Sequence, residues 1–265
     1  DFTKVKRDVK ELFYEYLDDL DTFFMLLQTK LKVKLPRGRS LIVFDEVQAF
    51  PRAREAIKHL VKDGRYHYLE TGSLISIKKN VRGILIPSEE MHLDIHPMDF
   101  EEFLWATGNP NMMETIRAYS KAEKPYGQSL HRQLMGVFRQ YLVVGGMPQA
   151  VAEFVESHDL DLVDRAKREV LRIYRQDIHK YGGRLRHRIE AIWDEIPAQL
   201  SKHEKRFKPG DVGENVRMRD LQEAFQWLKE ARTVNIAYNV TDPNVGLKMT
   251  MEVFALKGYM GDTGL

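Results

Sequence analysis

Leu41-Ile42-Val43-Phe44-Asp45-Glu46 decides the fold class. Four apolar residues, two of them β-branched, follow the turn sequence Pro36-Arg37-Gly38-Arg39-Ser40 and end on two acids. A run this short, bounded in this way, predicts a strand buried on both faces, as in a parallel sheet. Downstream, Pro51 suits the first turn of a helix over 51–62, which Asp63-Gly64 would end. Tyr66-His67-Tyr68-Leu69-Glu70 predicts a second strand closed by Thr71-Gly72-Ser73, and Met91–Ile95 a third. Upstream, Val9, Leu12, Phe13, Leu17, Leu20 and Phe24 recur at three- and four-residue intervals, which predicts one helix over 5–30. Helices alternating with strands at this spacing indicate α/β architecture.

The texture changes near residue 98. Helices are expected over 100–105, 112–120, 129–144, 149–157 and 160–180, interrupted at Gly145-Gly146-Met147-Pro148 and again at Tyr181-Gly182-Gly183. From 186 to 231 the pattern is a helix, a basic connector over 205–214, and an amphipathic helix over 216–231. Leu221, Ala224, Phe225, Leu228 and Ala231 form the apolar stripe of that last helix, and a strand follows over 233–240. Trp105 and Trp193 fall within helical patterns as core or interface residues.

A chain 43% hydrophobic and 30% charged can bury a core, which excludes wholesale disorder. It holds no run of 18 apolar residues, so no membrane helix is expected. With no cysteine, a disulfide-stapled fold, a zinc ribbon and a cysteine nucleophile are excluded. No leader-like segment opens it, and together these features point to the cytoplasm. The net charge of +2 hides an asymmetry: 15 Lys and Arg face 8 Asp and Glu between Arg165 and Arg219. That excess suits an anionic partner, or simply the solvated side of mixed-charge helices.

Asp45 and Glu46 emerge where ligands bind in open α/β sheets, beyond the C-terminal end of a strand. This is the Walker B arrangement of P-loop ATPases: the first acid holds Mg²⁺, and the second polarises the attacking water. A solvated acidic strand end is the competing reading. Neighbouring parallel strands end side by side, so Thr71 or Ser73 would lie near the two acids and sense a γ-phosphate; alone, Thr-Gly-Ser reads as a turn. The phosphate cradle G-x-x-x-x-G-K-[ST] has no counterpart, because the chain contains no Gly-Lys pair. The nine histidines show no His-x-x-x-His or His-Glu-x-x-His spacing on a plausible helix, so no metal ligand is expected beyond a nucleotide-linked Mg²⁺.

Five segments in order resemble one family. They are Leu41 to Gln48, Leu69 to Ser73, Pro97-Met98-Asp99-Phe100-Glu101-Glu102-Phe103-Leu104, Tyr141 to Pro148 with its Gly-Gly, and Met260-Gly261-Asp262-Thr263-Gly264-Leu265. The family is that of bacterial and archaeal AAA-type ATPases with a C-terminal domain of unknown function. The resemblance implies a P-loop NTPase-like parallel sheet core over 1–109, with its P-loop upstream of Asp1. It further implies a helical lid-like region over 110–185, a winged-helix-like domain over 186–240, and over 241–265 the start of a restriction-endonuclease-like C-terminal domain. ATP and Mg²⁺ would be the cofactors, and hydrolysis would drive a switch or motor. Asp45 would hold the metal, Glu46 would serve as base, and Thr71 or Ser73 as sensor. Arg82 would touch phosphate in cis or from a neighbouring subunit, since relatives often form rings; otherwise it is a solvated loop residue. Phe254-Ala255-Leu256-Lys257-Gly258-Tyr259 departs from the family pattern.

In the 186–240 segment, helix then strand is the order of recognition helix and wing. Arg217 and Arg219 would face bases of DNA, and Lys205, Arg206 and Lys208, with Lys202, its phosphates. Asp220, Glu223 and Glu230 on the same helix suit a protein-protein module instead. Two alternatives to the ATPase stay open: a nucleic-acid-binding module on a degenerate, non-hydrolysing core, and a structural interaction protein, in which homo-oligomers are included.

Overall fold

A computed structural model describes residues 1–72, 91, 93–204, 206–244 and 246–265. The chain divides into two compact units, Asp1–Asp94 and Ile95–Leu265.

In the first unit, α1 (Arg7–Glu15), α2 (Leu20–Leu31) and α3 (Pro51–Asp63) pack against a parallel pair, β1 (Leu41–Phe44) and β2 (His67–Glu70). The single helix expected over 5–30 is two helices. The break falls where Asp19 accepts the Thr22 amide at 3.1 Å and caps α2, so a local side chain competes with helix continuation. That cap holds the Asp19 carboxyl below its usual range, chiefly through the Thr22 hydroxyl. Pro51 opens α3 and Gly64, at φ 71°, closes it, as expected. The core is aromatic: the Phe13 ring meets the rings of Phe2, Phe23, Phe44 and Phe50 edge-on at 5.0–6.0 Å.

β1 is not buried on both faces. Phe44 is buried and Ile42 half-buried, whereas Leu41 and Val43 are 56% and 46% exposed. The three helices cover one face of the pair, and the period of two sends alternate residues to the other. The third strand is also absent among the described residues. Met91, Leu93 and Ile95 are 92%, 76% and 80% exposed without strand pairing, since alternation alone makes no strand without a partner edge.

In the second unit, α4 (Phe100–Ala106), α5 (Met112–Lys121), α6 (Gln128–Val144), α7 (Pro148–Ser157) and α8 (Leu160–Tyr181) lie within one residue of the expected bounds. Phe103, Val144, Met147, Ala150, Val151, Val163 and Val170 form one cluster among them. α9 (Arg186–Ser201), α10 (Met218–Glu230) and an antiparallel hairpin of β3 (Val234–Val240) and β4 (Met251–Met260) enclose another, built on Ile189, Ile192, Ile196, Leu221, Phe225 and Leu228. Tyr174 on α8 packs against both clusters and meets Trp193 edge-on at 5.8 Å. Trp193 is core; Trp105 is not, at 56% exposed, because α4 buries Phe103 and Leu104 instead.

A capping box starts α4. Asp99 accepts the Glu102 amide and Glu102 accepts the Asp99 amide, both at 2.9 Å. Asp99→Ala is expected to lower stability by about 1 kcal/mol in a denaturant titration; no change would mean that neighbouring contacts hold the helix start without the cap.

Three of the quoted signatures converge within this unit. Met98 donates its amide to the Gly146 carbonyl at 2.7 Å, and the Tyr141 hydroxyl donates to the Met98 carbonyl at 3.1 Å. The buried Asp262 carboxylate accepts the amides of Gly146 at 2.5 Å and Gly264 at 2.9 Å. Lys167 donates to the Val143 carbonyl at 2.8 Å, an acceptor that the end of α6 leaves open, and to the Gly264 carbonyl at 2.9 Å. Burial pushes the Tyr141 phenol up, with Thr263 hydrogen bonding opposing it.

Candidate functional site

The parallel register sets Phe44 beside Glu70, so both strands finish level. The turns that follow are sewn together: Thr71 donates its amide to the Phe44 carbonyl, and Val47 donates to the Thr71 carbonyl, both at 3.0 Å. The Phe2 amide holds the Asp45 carbonyl at 2.9 Å. Within this frame the Thr71 hydroxyl donates to Asp45 Oδ1 at 2.5 Å. Glu46 has a left-handed backbone, φ 55°, and opens the short 3-10 turn Val47–Ala49. Such a conformation in a non-glycine residue is uncommon and costs of order 1–3 kcal/mol, so the surrounding bonds must hold it. The Glu46 carboxylate accepts the Gln48 side-chain amide. Both acids are half-buried.

Asp45, Glu46 and Thr71 are thus gathered at one strand end. Among the described residues no group of three or more His, Asp or Glu forms a metal cage. Two carboxylates nevertheless fit Mg²⁺, which keeps several waters and takes only one or two carboxylates alongside substrate phosphates. Ser73 and Arg82, assigned from sequence, lie outside the described residues.

The basic connector between α9 and α10 is internally paired. Lys208 meets Glu204 at 2.9 Å, and Lys202 meets Asp211 at 2.6 Å and Glu195 at 3.5 Å. Hydrogen bonding to Asp211 holds the Lys202 ammonium above its usual range. Arg219 lies 3.8 Å from Asp220, and Arg188 donates to the Asp220 carbonyl at 3.1 Å. Arg206 and Arg217 are exposed, and Lys205 lies outside the described residues. Sequence reasoning missed Asp262 as a buried carboxylate, and no spacing in the chain signals that it meets Gly146.

Residues 2–104 match the family described as "AAA domain", and residues 135–265 match the family described as "Domain of unknown function (DUF8612)". No curated protein and no solved structure matches the chain. Among the described residues no helix is long and apolar enough to cross a membrane. The chain is therefore similar to an AAA-type, ATPase-like family over its first part and to a domain family of unassigned function over its second.

Proposed function

We propose that the first unit is the hydrolytic corner of an ATP-dependent switch. Asp45 holds Mg²⁺, Glu46 orients the attacking water as general base, and Thr71 senses the γ-phosphate. Mg²⁺, when bound, supplies neutralisation of charge on the phosphates. The observation that carries this reading is the Thr71–Asp45 hydrogen bond across the two level strand ends. It keeps the Asp45 carboxylate oriented with one oxygen already engaged. It also gives Thr71 a choice of partner, so a phosphate oxygen arriving nearby would compete for its hydroxyl. Ser73 and Arg82 join the proposal on sequence alone, and residues 1–265 contain no Gly-Lys pair of a phosphate cradle.

The test is magnesium-dependent ATP hydrolysis by the natural protein. Hydrolysis is expected to stop on chelation, and Asp45→Asn is expected to raise the magnesium concentration needed by about tenfold or more, a loss of order 1.4 kcal/mol in metal binding. A magnesium requirement unchanged in that variant would remove Asp45 from the metal.

A second reading concerns the second unit. The order α9, α10, then the β3–β4 hairpin supports a winged-helix-like module, with α10 as recognition helix and the hairpin as wing. Arg206, Lys208, Arg217 and Arg219 are its candidate contacts to duplex DNA, and the ion pairs of its connector make that contact weak.

A further inference from the structure

A run of unpaired positive charge among the described residues lies elsewhere, in a segment whose sequence reads merely as a helix end and a turn. Residues 30–39, Lys-Leu-Lys-Val-Lys-Leu-Pro-Arg-Gly-Arg, carry five cations and no acid. Lys30 pairs with Asp8 at 3.1 Å and Arg37 lies 3.8 Å from Asp21. Lys32, Lys34 and Arg39 are exposed and have no ion-pair partner among the described residues. We infer that this loop binds the phosphate backbone of duplex nucleic acid.

Three features favour that partner. First, the cations are strung along an exposed loop, which suits a repeating charge better than a single anion. Second, the adjoining cleft of about 640 Å³ offers no platform for an unpaired base. Its aromatic floor, Phe24 and Tyr66, is 2% and 8% exposed, with the two rings edge-on at 4.8 Å and the Arg65 guanidinium 5.2 Å above Phe24. Single-strand binding relies on such stacking, so a paired duplex is the better fit. Third, residues 32–40 are not helical, so Val33 does not extend the exposed Leu31 at the end of α2 into the long apolar helix face that an anionic membrane surface would take.

The site is also electrostatically independent of the carboxylate corner. The loop enters β1 at Ser40, tied there by Gly38 N–H to the Arg65 carbonyl at 2.8 Å and His67 N–H to the Ser40 carbonyl at 3.1 Å. Asp45 is at the other end of the strand, roughly 17 Å away at about 3.3 Å per residue. That is about two Debye lengths at physiological salt, so the two acids scarcely repel a bound polyanion.

The experiment is a fluorescence-anisotropy titration of the natural protein with a 20-base-pair DNA duplex at several salt concentrations. The test variant is Lys32→Asn, Lys34→Gln and Arg39→Gln together; asparagine tolerates the left-handed backbone, φ 54°, at position 32. Three phosphate contacts correspond to a slope of about −2.7 in log affinity against log salt, or about 40-fold between 50 and 200 mM. The variant is expected to lose that share of the slope while keeping its thermal midpoint and basal ATP turnover. The second-unit variant Arg206→Gln, Arg217→Gln and Arg219→Gln is expected to move the slope less. The inference is overturned if the loop variant leaves the slope unchanged, or if it loses binding only to polyglutamate or to anionic phospholipid vesicles. Loss of ATP hydrolysis with an intact salt slope would sink the ATPase reading alone.

Discussion

Glu46→Gln in the natural protein is expected to retain magnesium-ATP and to turn it over about 10²–10⁴-fold more slowly, the usual contribution of a positioned general base. The substitution preserves side-chain length, and the new carbonyl oxygen can still accept the Gln48 amide that the carboxylate accepts now. Position 46 keeps its left-handed backbone, since glutamine and glutamate bear the same strain there. What is lost, on the proposed reading, is the negative charge that would draw a proton from water. Single-turnover hydrolysis beside equilibrium ATP binding separates the outcomes. Unchanged turnover would take Glu46 out of the chemistry, and equal loss of binding would make its role structural.

Gly145→Ala is expected to destabilise the second unit by about 4 kcal/mol, with two causes that add. Gly145 sits at φ 81°, ψ −168°, a region essentially reserved for glycine. A Cβ there would stand 2.1 Å from Asp262 Oδ1 and 2.9 Å from the Gly264 backbone. Its neighbour is equally confined, because a Cβ on Gly146 would stand 2.0 Å from the Met98 carbonyl oxygen. Relief at position 145 would require moving the Gly264 backbone and the Asp262 carboxylate, which its bonds to the Gly146 and Gly264 amides hold in place. Chemical denaturation of the natural protein reads the effect. A shift below about 1 kcal/mol would show that the loop relaxes at little cost.

The helices of the second unit were legible because their cues are local. Pro148 at a first turn and Gly145 behind α6 bound them to within a residue. The strand over 233–240 was legible too, but β4 was not. Its residues lack clean alternation, with Leu256 and Gly258 buried and Val253 and Phe254 exposed. Gly258 reads as a breaker, yet it is what lets Ile196 approach, since a Cβ there would lie 3.3 Å from that side chain. The proximity of Thr71 to Asp45 followed from parallel pairing alone. The exposed faces of Leu41 and Val43 did not follow, because an apolar run records what a strand is able to bury and is silent on what covers it. The charge excess after Arg165 was legible in sum, and the pairing of Lys202 and Lys208 with Glu195, Asp211 and Glu204 was not, since pairing depends on side-chain placement.

The Asp262–Gly146 bond joins positions 116 residues apart. At synthesis rates of roughly 5–20 residues per second, Gly146 precedes Asp262 by roughly 6–23 s. Throughout that interval the Gly145-Gly146 turn after α6 lacks the carboxylate that accepts the Gly146 amide. Val144 and Met147, which the closed turn keeps buried, then belong to an incomplete cluster. The helices can form early from local contacts, but their final closure waits on the long-range one. The nascent second unit therefore keeps that cluster open over those seconds, and a ribosome pausing between β3 and Asp262 prolongs the exposure.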